Sequence, residues 1–231
     1  MKPDRVVVVF TGGDPVDASL RARLPEGAFV IAADSGAEHA AALGCAVDLA
    51  VGDFDSVDPA TLEALAARGA RIERHPEAKD ATDLELGLAA AAAEGATRII
   101  VVGGHGGRLD HFLANALVLT SATFAGMQVE ALVGPARLVV VTTYAELYGE
   151  PGDLVSLLPV GGPALGVRTT GLLYPLRGER LLPGTTRGVS NELAATLASV
   201  EVEAGTVLAV QPGLAGTHYR QRQQQQQQRR T

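Results

Sequence analysis

Short apolar runs rich in β-branched residues recur along the first 135 residues. They fall at residues 5–10, 29–33, 49–51, 98–102 and 129–133, and a further short strand is predicted at 70–75. Runs without polar alternation are typical of strands buried on both faces of a parallel sheet. The segments between them carry helix signals, which predict helices at 20–24, 37–43, 59–68, 82–94 and 110–121. Because strands and helices alternate, the sequence predicts an α/β fold, with a Rossmann-like parallel α/β domain over residues 1–135.

The pattern changes at Gly134-Pro135. Beyond this point the β runs at 139–142, 154–158, 167–170 and 207–210 are short and separated by Gly and Pro. This spacing predicts a C-terminal all-β sandwich domain over residues 136–218. Residues 219–231 are rich in glutamine and arginine and have no apolar face to bury, so we expect this tail to be disordered.

Aspartates are concentrated in the middle of the α/β region. Eight of the chain's twelve lie there, at positions 34, 48, 53, 55, 58, 80, 83 and 110. Asp53 and Asp55 are two apart, so an extended backbone would point both to one face. Asp80 and Asp83 are three apart and would share one side of a helix start, where Thr82 and Glu85 form a capping box.

Two carboxylates about 5 Å apart repel by roughly 3 kcal/mol at an effective dielectric near 20. If both pairs converge, a cation is needed, and short Asp side chains favour Mg²⁺ shared with substrate phosphates. The alternative is that these aspartates are helix caps and turn formers.

Polar residues follow several predicted strands. Asp34, Asp53 and Arg108 each come after one, and ligands in open α/β sheets bind outside the carboxyl ends of the strands. The segment 104–108 (Gly-His-Gly-Gly-Arg) matches neither the dinucleotide fingerprint nor a P-loop. A glycine loop before a helix can still bind phosphate through backbone N–H groups, with Arg108 as a bidentate clamp; an ordinary tight turn is the alternative.

Further candidates carry two interpretations each. His111 and Asn115 lie one helical turn apart and share a face, although a lone histidine is often structural. Asp34 and Gly36 belong to a segment that suits either a nucleotide contact or a helix cap. Lys79 is the only lysine besides Lys2, against 17 arginines, which suggests an ammonium directed at phosphate or simple drift.

Composition excludes several classes of function. The net charge is −7 with no basic stripe in the body, so nucleic acid is a poor partner. Aromatic residues make up 4% with no Trp, which argues against broad stacking platforms. The five histidines lack zinc-ligand spacing. Cys45 is the single cysteine and no apolar run reaches membrane-spanning length, so we expect a soluble, cytoplasmic protein without disulfides.

Taken in order, these segments resemble the thiamine pyrophosphokinase family. The matching motifs are 33–37 (Ala-Asp-Ser-Gly-Ala), 52–56 (Gly-Asp-Phe-Asp-Ser), 79–83 (Lys-Asp-Ala-Thr-Asp), 107–111 (Gly-Arg-Leu-Asp-His) with Asn115, 171–176 (Gly-Leu-Leu-Tyr-Pro-Leu) and 188–192 (Gly-Val-Ser-Asn-Glu). The resemblance spans about residues 5–213. It implies a homodimer with active sites between subunits, and transfer of pyrophosphate from ATP to the hydroxyl of thiamine, releasing AMP.

The resemblance also implies roles for individual residues. Mg²⁺ would be held by Asp53, Asp55 and Asp83. The nucleotide contacts would be Asp34, Gly36, Arg108, Asp110, His111 and Asn115. Substrate contacts would come from Asp80, Thr82, Ser190 and Asn191. Lys79 and Arg108 would offset phosphate charge, and Asp80 would accept the hydroxyl proton.

Other functions remain open on the sequence. A pyrophosphokinase of the same fold could act on a pterin alcohol instead of thiamine. Residues 53–57 also fit the aspartate nucleophile of haloacid-dehalogenase-like phosphatases. A third class is a non-catalytic, nucleotide-sensing protein.

Overall fold

The apolar runs of the N-terminal region form six strands. The structure, a computed structural model, describes residues 4–55, 57–76 and 81–213. The six strands are β1 (Val6–Phe10), β2 (Phe29–Ala33), β3 (Leu49–Gly52), β4 (Arg71–Arg74), β5 (Arg98–Val102) and β6 (Gln128–Val133). Four candidate positions and segments lie outside the described residues: Ser56, Lys79, Asp80 and the tail 219–231.

These six strands pair in parallel in the order β4-β3-β2-β1-β5-β6. The chain runs from β1 outward to β4 and then returns to the other side of β1 with β5. The strand order therefore reverses between β1 and β5, which is where open α/β sheets bind ligands. Strands β1, β2, β3 and β5 are almost fully buried, and Val9, Ile31 and Ile99 are each 0% exposed, whereas the edge strand β4 is mostly exposed.

Four helices connect these strands: α1 (Gly36–Ala42), α2 (Pro59–Ala67), α3 (Asp83–Ala93) and α4 (Leu109–Val118). Helix α2 begins with Pro59 after Asp58, whose carboxylate accepts a hydrogen bond from the N–H of Ala60. The predicted helix at 20–24 is a 3₁₀ turn (Ala18–Arg23), and α4 ends before the predicted residue 121. The prediction of an α/β protein is confirmed.

The chain divides into two compact units, with the boundary between Gly134 and Pro135. The described part of the second unit contains strands β7 (Ala136–Val141), β8 (Tyr144–Tyr148), β9 (Leu154–Thr170), β10 (Arg177–Leu181), β11 (Asn191–Glu192), β12 (Leu197–Glu201) and β13 (Ala204–Gln211). All their pairings are antiparallel, and β9 pairs with β10, β11, β12 and β13. The core includes Leu147, Leu157 and Val207.

Strand β9 corrects one prediction. The sequence predicted separate strands at 154–158 and 167–170, but residues 154–170 form one continuous strand. Gly161 and Gly166 have φ of +74° and +61°, conformations that glycine adopts at no steric cost. The register against β13 shifts between Ala204 and Thr206. Bulges of this kind bend a strand without ending it.

Candidate active site

A cleft of about 560 Å³ opens at the carboxyl edge of the parallel sheet. Its walls are the loops after β1, β2 and β5 and the first turns of α3 and α4. The lining includes six of the residues predicted from the sequence, namely Asp34, Thr82, Asp83, Arg108, His111 and Asn115. The sheet therefore brings together side chains that lie up to about eighty positions apart in sequence.

Three carboxylates converge at this edge. Each of Asp34, Asp53 and Asp55 has an oxygen within 4.8 Å of the others. Asp34 follows β2, and the other two follow the neighbouring strand β3. Asp83 lines the cleft beside them. The structure thus adds Asp34, which the sequence assigned to nucleotide, to the acidic pair that the sequence assigned to metal.

The surroundings of Asp34 disfavour its charged form. Asp34 is buried, and its Oδ1 has no hydrogen-bond partner among the described residues. Burial raises the pKa of the carboxyl, and the charges of Asp83, Asp53 and Asp55 raise it further, against a backbone hydrogen bond from Ser35 that lowers it. An unpartnered buried carboxylate oxygen facing two other carboxylates is a position that a cation would stabilise.

The backbone around the acidic group is unusual. Asp34 and Phe54 have φ of +48° and +60°. Positive φ is tolerated by aspartate but is rare for a bulky residue such as phenylalanine. Gly52 allows the close approach of the two strand ends, because a Cβ there would lie 3.3 Å from the Cα of Asp34.

The route by which Asp53 and Asp55 converge differs from the prediction. An extended backbone was expected to place them on one face, but Phe54 turns the chain in the left-handed region instead. The N–H of Asp55 donates to Oδ1 of Asp53 at 3.3 Å. The ring of Phe54 is buried against Ala50, Val57 and Leu62, and this packing offsets the strain of the turn.

Thr82 links the two helices that border the cleft. Its Oγ1 accepts a hydrogen bond from the N–H of Glu85 at 3.3 Å, which confirms the predicted cap of α3. The same hydroxyl donates to Oδ1 of Asn115 on α4 at 3.3 Å. Both side chains line the cleft, so this contact fixes the spacing of its walls.

Arg108 lies at the start of α4 and lines the cleft, while Asp110 beside it is exposed. The Nη2 of Arg108 donates to Oδ2 of Asp110 at 2.6 Å, and its Nε donates to Oδ1 at 3.2 Å. Hydrogen bonding from Arg108 is the main reason why the pKa of Asp110 is lowered to about 2. Asp110 therefore orients Arg108 in this structure, whereas the sequence assigned Asp110 to the nucleotide itself.

Close packing explains why residue 36 is a glycine. It opens α1 and is buried, and a Cβ there would collide with the carbonyl of Phe10. Its neighbour Ser35 lines the cleft. The glycine lets α1 approach β1, whatever ligand the cleft binds.

Sequence reasoning missed the loop after β1. Thr11, Gly12 and Gly13 line the cleft, and so does Phe112 on α4. Behind this loop, Nδ1 of the buried His39 lies 2.8 Å from the carbonyl oxygen of Thr11. Since a carbonyl only accepts, Nδ1 carries the hydrogen. The same rule about strand ends that selected Asp34 and Asp53 would have selected this loop.

Two predicted residues belong to the second unit. Asn191 and Glu192, at the end of the motif 188–192, form the short strand β11. The buried side chain of Asn191 accepts from the N–H of Tyr174 at 3.0 Å and donates to its carbonyl at 2.7 Å. Ser190 is exposed and has φ of +58°, so its backbone is held in a strained conformation. The structure thus uses Asn191 to hold the segment around Tyr174.

Comparison with known proteins identifies the family. One family model, the thiamin pyrophosphokinase catalytic domain, matches residues 21–131. A second, the thiamin pyrophosphokinase vitamin B1 binding domain, matches residues 142–207. The chain belongs to the thiamin pyrophosphokinase family. Together the two matches cover most of the chain, and each falls within one of the two units.

Individual thiamine pyrophosphokinases are distant in sequence. That of Bacillus subtilis is 25% identical over 172 residues, which is 70% of this chain and 77% of the relative. Thiamine pyrophosphokinase 2 of rice is 29% identical over 164 residues, 66% of this chain and 61% of the relative. The crystal structure of the Bacillus subtilis protein has a TM-score of 0.78 at 24% identity, covering 90% of this chain and 98% of that one. The fold is therefore that of a thiamine pyrophosphokinase.

Among the described residues, no helix is long and apolar enough to cross a membrane.

Proposed function

We propose that this protein transfers pyrophosphate from ATP to the hydroxyl of thiamine, giving thiamine diphosphate and AMP. The observation that carries the proposal is the cleft at the strand-order reversal, with its acidic group, inside a unit that matches a thiamin pyrophosphokinase catalytic domain. The match of the second unit to a vitamin B1 binding domain supports thiamine as the acceptor, in place of a pterin alcohol. Membership in the thiamin pyrophosphokinase family also favours this reaction over the phosphatase and nucleotide-sensing alternatives.

The acidic group fits a divalent cation. Asp34, Asp53 and Asp55 each offer an oxygen within 4.8 Å of the others. Oδ1 of Asp34 is buried and has no hydrogen-bond partner among the described residues. Hard oxygen ligands of this kind suit Mg²⁺. We assign Asp53, Asp55 and Asp83 to the ion as predicted, and add Asp34. When bound, Mg²⁺ would neutralise charge on the phosphates of ATP.

The remaining groups would orient ATP and offset its charge. The glycine loops after β1 and β5 line the cleft and would bind phosphate through backbone N–H groups, and Arg108, which also lines it, would add its guanidinium. Positioning and electrostatic stabilisation supply most of the rate in phosphoryl transfer. Lys79 is proposed to act beside Arg108, while His111 and Asn115 are proposed to contact the nucleotide.

In the proposed reaction, the hydroxyl oxygen of thiamine forms a bond to the β-phosphorus of ATP. The bond from this phosphorus to the oxygen that bridges the α-phosphate breaks, and AMP leaves with that oxygen. The hydroxyl proton passes to a carboxylate, for which Asp80 is the proposed acceptor. Thr82, Ser190 and Asn191 are proposed to form or support the thiamine site.

The proposal includes a homodimer located in the cytoplasm. Leu109, Leu113 and Leu117 recur every four residues along α4 and are each more than half exposed. An apolar stripe of this size on an exposed helix is typical of an interaction surface. Its position next to the cleft-lining residues of α4 supports a second subunit close to the active site.

The direct test is incubation of the protein with ATP, Mg²⁺ and thiamine, followed by separation of the nucleotides. We expect AMP and thiamine diphosphate in equal amounts. ADP or free phosphate as the nucleotide-derived product would contradict the proposal. A parallel reaction with a pterin alcohol distinguishes the acceptor.

Substitutions test the acidic group. Asp53→Asn and Asp83→Asn should abolish turnover and leave the melting temperature nearly unchanged, because both side chains are partly exposed. Asp17→Asn is the matched control, since Asp17 is exposed, lies outside the cleft lining and uses its side chain to accept from the N–H of Ser19. Normal rates in Asp53→Asn or Asp83→Asn would show that the metal assignment is wrong.

A further inference from the structure

The two glycine-containing loops of the cleft lie side by side at the strand-order reversal. We call residues 11–14 the β1 loop and residues 103–107 the β5 loop. Three backbone hydrogen bonds join them to each other or to the adjoining strand: the N–H of Thr11 donates to the carbonyl of Val102 (3.0 Å), that of Gly104 to Gly12 (2.8 Å), and that of Asp14 to His105 (2.7 Å). Backbone hydrogen bonds therefore tie the two loops together.

A side-chain pair closes the outer end of this contact. Nδ1 of His105 lies 3.4 Å from Oδ2 of Asp14. The two side chains are 49% and 59% exposed, so they can be changed without opening the core. Neither residue was assigned a role from the sequence, and both adjoin glycines that line the cleft.

Three glycines make room for this pair. A Cβ at Gly106 would collide with the carboxylate of Asp14, and one at Gly13 would collide with the carbonyl of His105. A Cβ at Gly134 would lie 2.7 Å from the His105 ring. Any side chain at these positions would displace one partner, so the local sequence is compatible with the pair in this geometry.

We propose that Asp14 and His105 are positioning residues that hold the β1 and β5 loops at the separation required by the triphosphate of ATP. The inference rests on the proposed function, because it takes ATP as the ligand. Gly12 and Gly13 of the β1 loop and Gly104 and Gly106 of the β5 loop all line the cleft. Backbone N–H groups bind phosphate only when their spacing is fixed in advance. The pair acts through these loops and does not contact the reacting atoms.

The test is a double-mutant cycle read by ATP binding. His105→Ala and Asp14→Ala should each raise the Kd for Mg²⁺-ATP about 5- to 10-fold, measured by calorimetry on the full chain. The double variant should bind no more weakly than either single variant, because each removes the same contact. KM for ATP should rise in parallel, while kcat at saturating ATP and KM for thiamine stay within about twofold.

Two further variants separate positioning from general damage. Asp14→Asn keeps the size of the side chain and an oxygen that can face Nδ1 of His105, so it should bind ATP within about twofold of the unsubstituted protein. Arg98→Ala is the matched control. It removes a partly buried ion pair with Glu130 (2.6 Å) at the other end of β5, and it should leave ATP binding unchanged.

The outcomes are distinguishable. If the unsubstituted protein binds no ATP, the proposed function fails and this role fails with it. If it binds ATP but His105→Ala and Asp14→Ala bind equally well, or their effects add, the positioning role alone is wrong. A loss in Asp14→Asn as large as in Asp14→Ala would also overturn it, because charge and not loop geometry would then govern binding.

Discussion

The hydroxyl of Thr82 donates a hydrogen bond to Oδ1 of Asn115, 3.3 Å away on the neighbouring helix. The same oxygen caps α3 by accepting from the N–H of Glu85. One side chain thus performs a local task, at the start of its own helix, and a longer-range one, across the cleft. Sequence reasoning found the first through the capping box and had no means of finding the second.

Comparing two substitutions of Thr82, one without and one with a hydroxyl, tests whether the hydroxyl performs these two tasks. Thr82→Ala should lower the free energy of unfolding by about 1 kcal/mol, because the cap is lost, and should weaken ATP binding because Asn115 loses its partner. Thr82→Ser keeps the hydroxyl, so its free energy of unfolding should stay within about 0.5 kcal/mol of that of the parent protein. Urea unfolding and nucleotide calorimetry measure the two effects. Equal losses in both variants would mean that the hydroxyl has neither role.

Asp34→Asn should stabilise the metal-free protein at neutral pH while abolishing turnover. Burial raises the pKa of Asp34 in the folded state, so the folded protein holds this proton more tightly than the unfolded chain does. The stability from this group is complete below the unfolded value of 3.8 and is lost as the pH rises through the folded pKa. Above that pH the carboxylate is a buried, repelled charge, and asparagine removes it.

We expect the free energy of unfolding of the Asp34→Asn variant to rise by on the order of 1 kcal/mol at pH 7. For a chain of this size, that corresponds to a rise of about 2–4 °C in Tm. The gain should disappear as the pH falls toward 3.8. It should also shrink when Mg²⁺ is added, because an ion bound only to the folded state stabilises the parent. Thermal unfolding over a pH series, with and without Mg²⁺, measures all three. A less stable variant at pH 7 without divalent ions would contradict the argument.

At position 54, a glycine variant should be more stable than an alanine variant, which is the reverse of the usual order. Glycine at an ordinary position is less stable than alanine by roughly 0.5–1 kcal/mol, but at a positive φ it avoids the steric cost that alanine retains. Both Phe54→Gly and Phe54→Ala lose the buried ring and should cost about 3–5 kcal/mol. Of the two, Phe54→Gly should be the more stable.

Leu62 provides the control for this comparison. It belongs to the same apolar cluster but lies within helix α2, where alanine is favoured. Leu62→Ala should therefore be more stable than Leu62→Gly by about 1 kcal/mol. Chemical denaturation of the four variants gives both differences. The same order at the two positions would rule out a strained backbone at Phe54.

Glu94 should affect stability without affecting catalysis. Its Oε2 is 2.6 Å from Nη2 of Arg5, and its Oε1 pairs with Nη2 of Arg71. Both arginines also lie against the ring of Phe29, at 5.4 and 6.0 Å from its centre. This cluster lies at the amino-terminal ends of β1 and β4, on the opposite edge of the sheet from the cleft.

Glu94→Gln should lower the free energy of unfolding by about 0.5–1 kcal/mol in dilute buffer, and by less at 1 M salt, because partly exposed ion pairs are screened. Rates should stay at those of the parent protein. Glu63→Gln, an exposed position on α2, should change neither quantity. A loss of stability that is independent of salt would point to packing instead of charge.

The buried strands of the parallel sheet were predictable because their sequences leave little choice. The run at 98–102 is apolar throughout after Arg98, and its predicted bounds agree with β5. The strands β8, β10 and β12 were missed. Each is only five residues long, has no more than two buried positions and contains a charged side chain of a kind typical of loops.

The acidic group shows where prediction from the sequence stops. Strand ends placed Asp34 and Asp53 at one edge, and the structure agrees. That Asp34 joins the carboxylates depends on the close approach at Gly52, and the direction of Asp55 depends on a left-handed turn at Phe54. Such conformations are held by tertiary packing, which no local pattern in the sequence reports.

Strand β9 has a consequence for the order in which the chain acquires its structure during synthesis. The parallel sheet of the first unit is complete once residue 133 has left the ribosome. In the second unit, β9 pairs with four strands that all follow it, and β7 pairs with β13, which ends at Gln211. The nascent second unit must therefore wait for most of its length to emerge, so we expect the first unit to be folded while the second is still being translated.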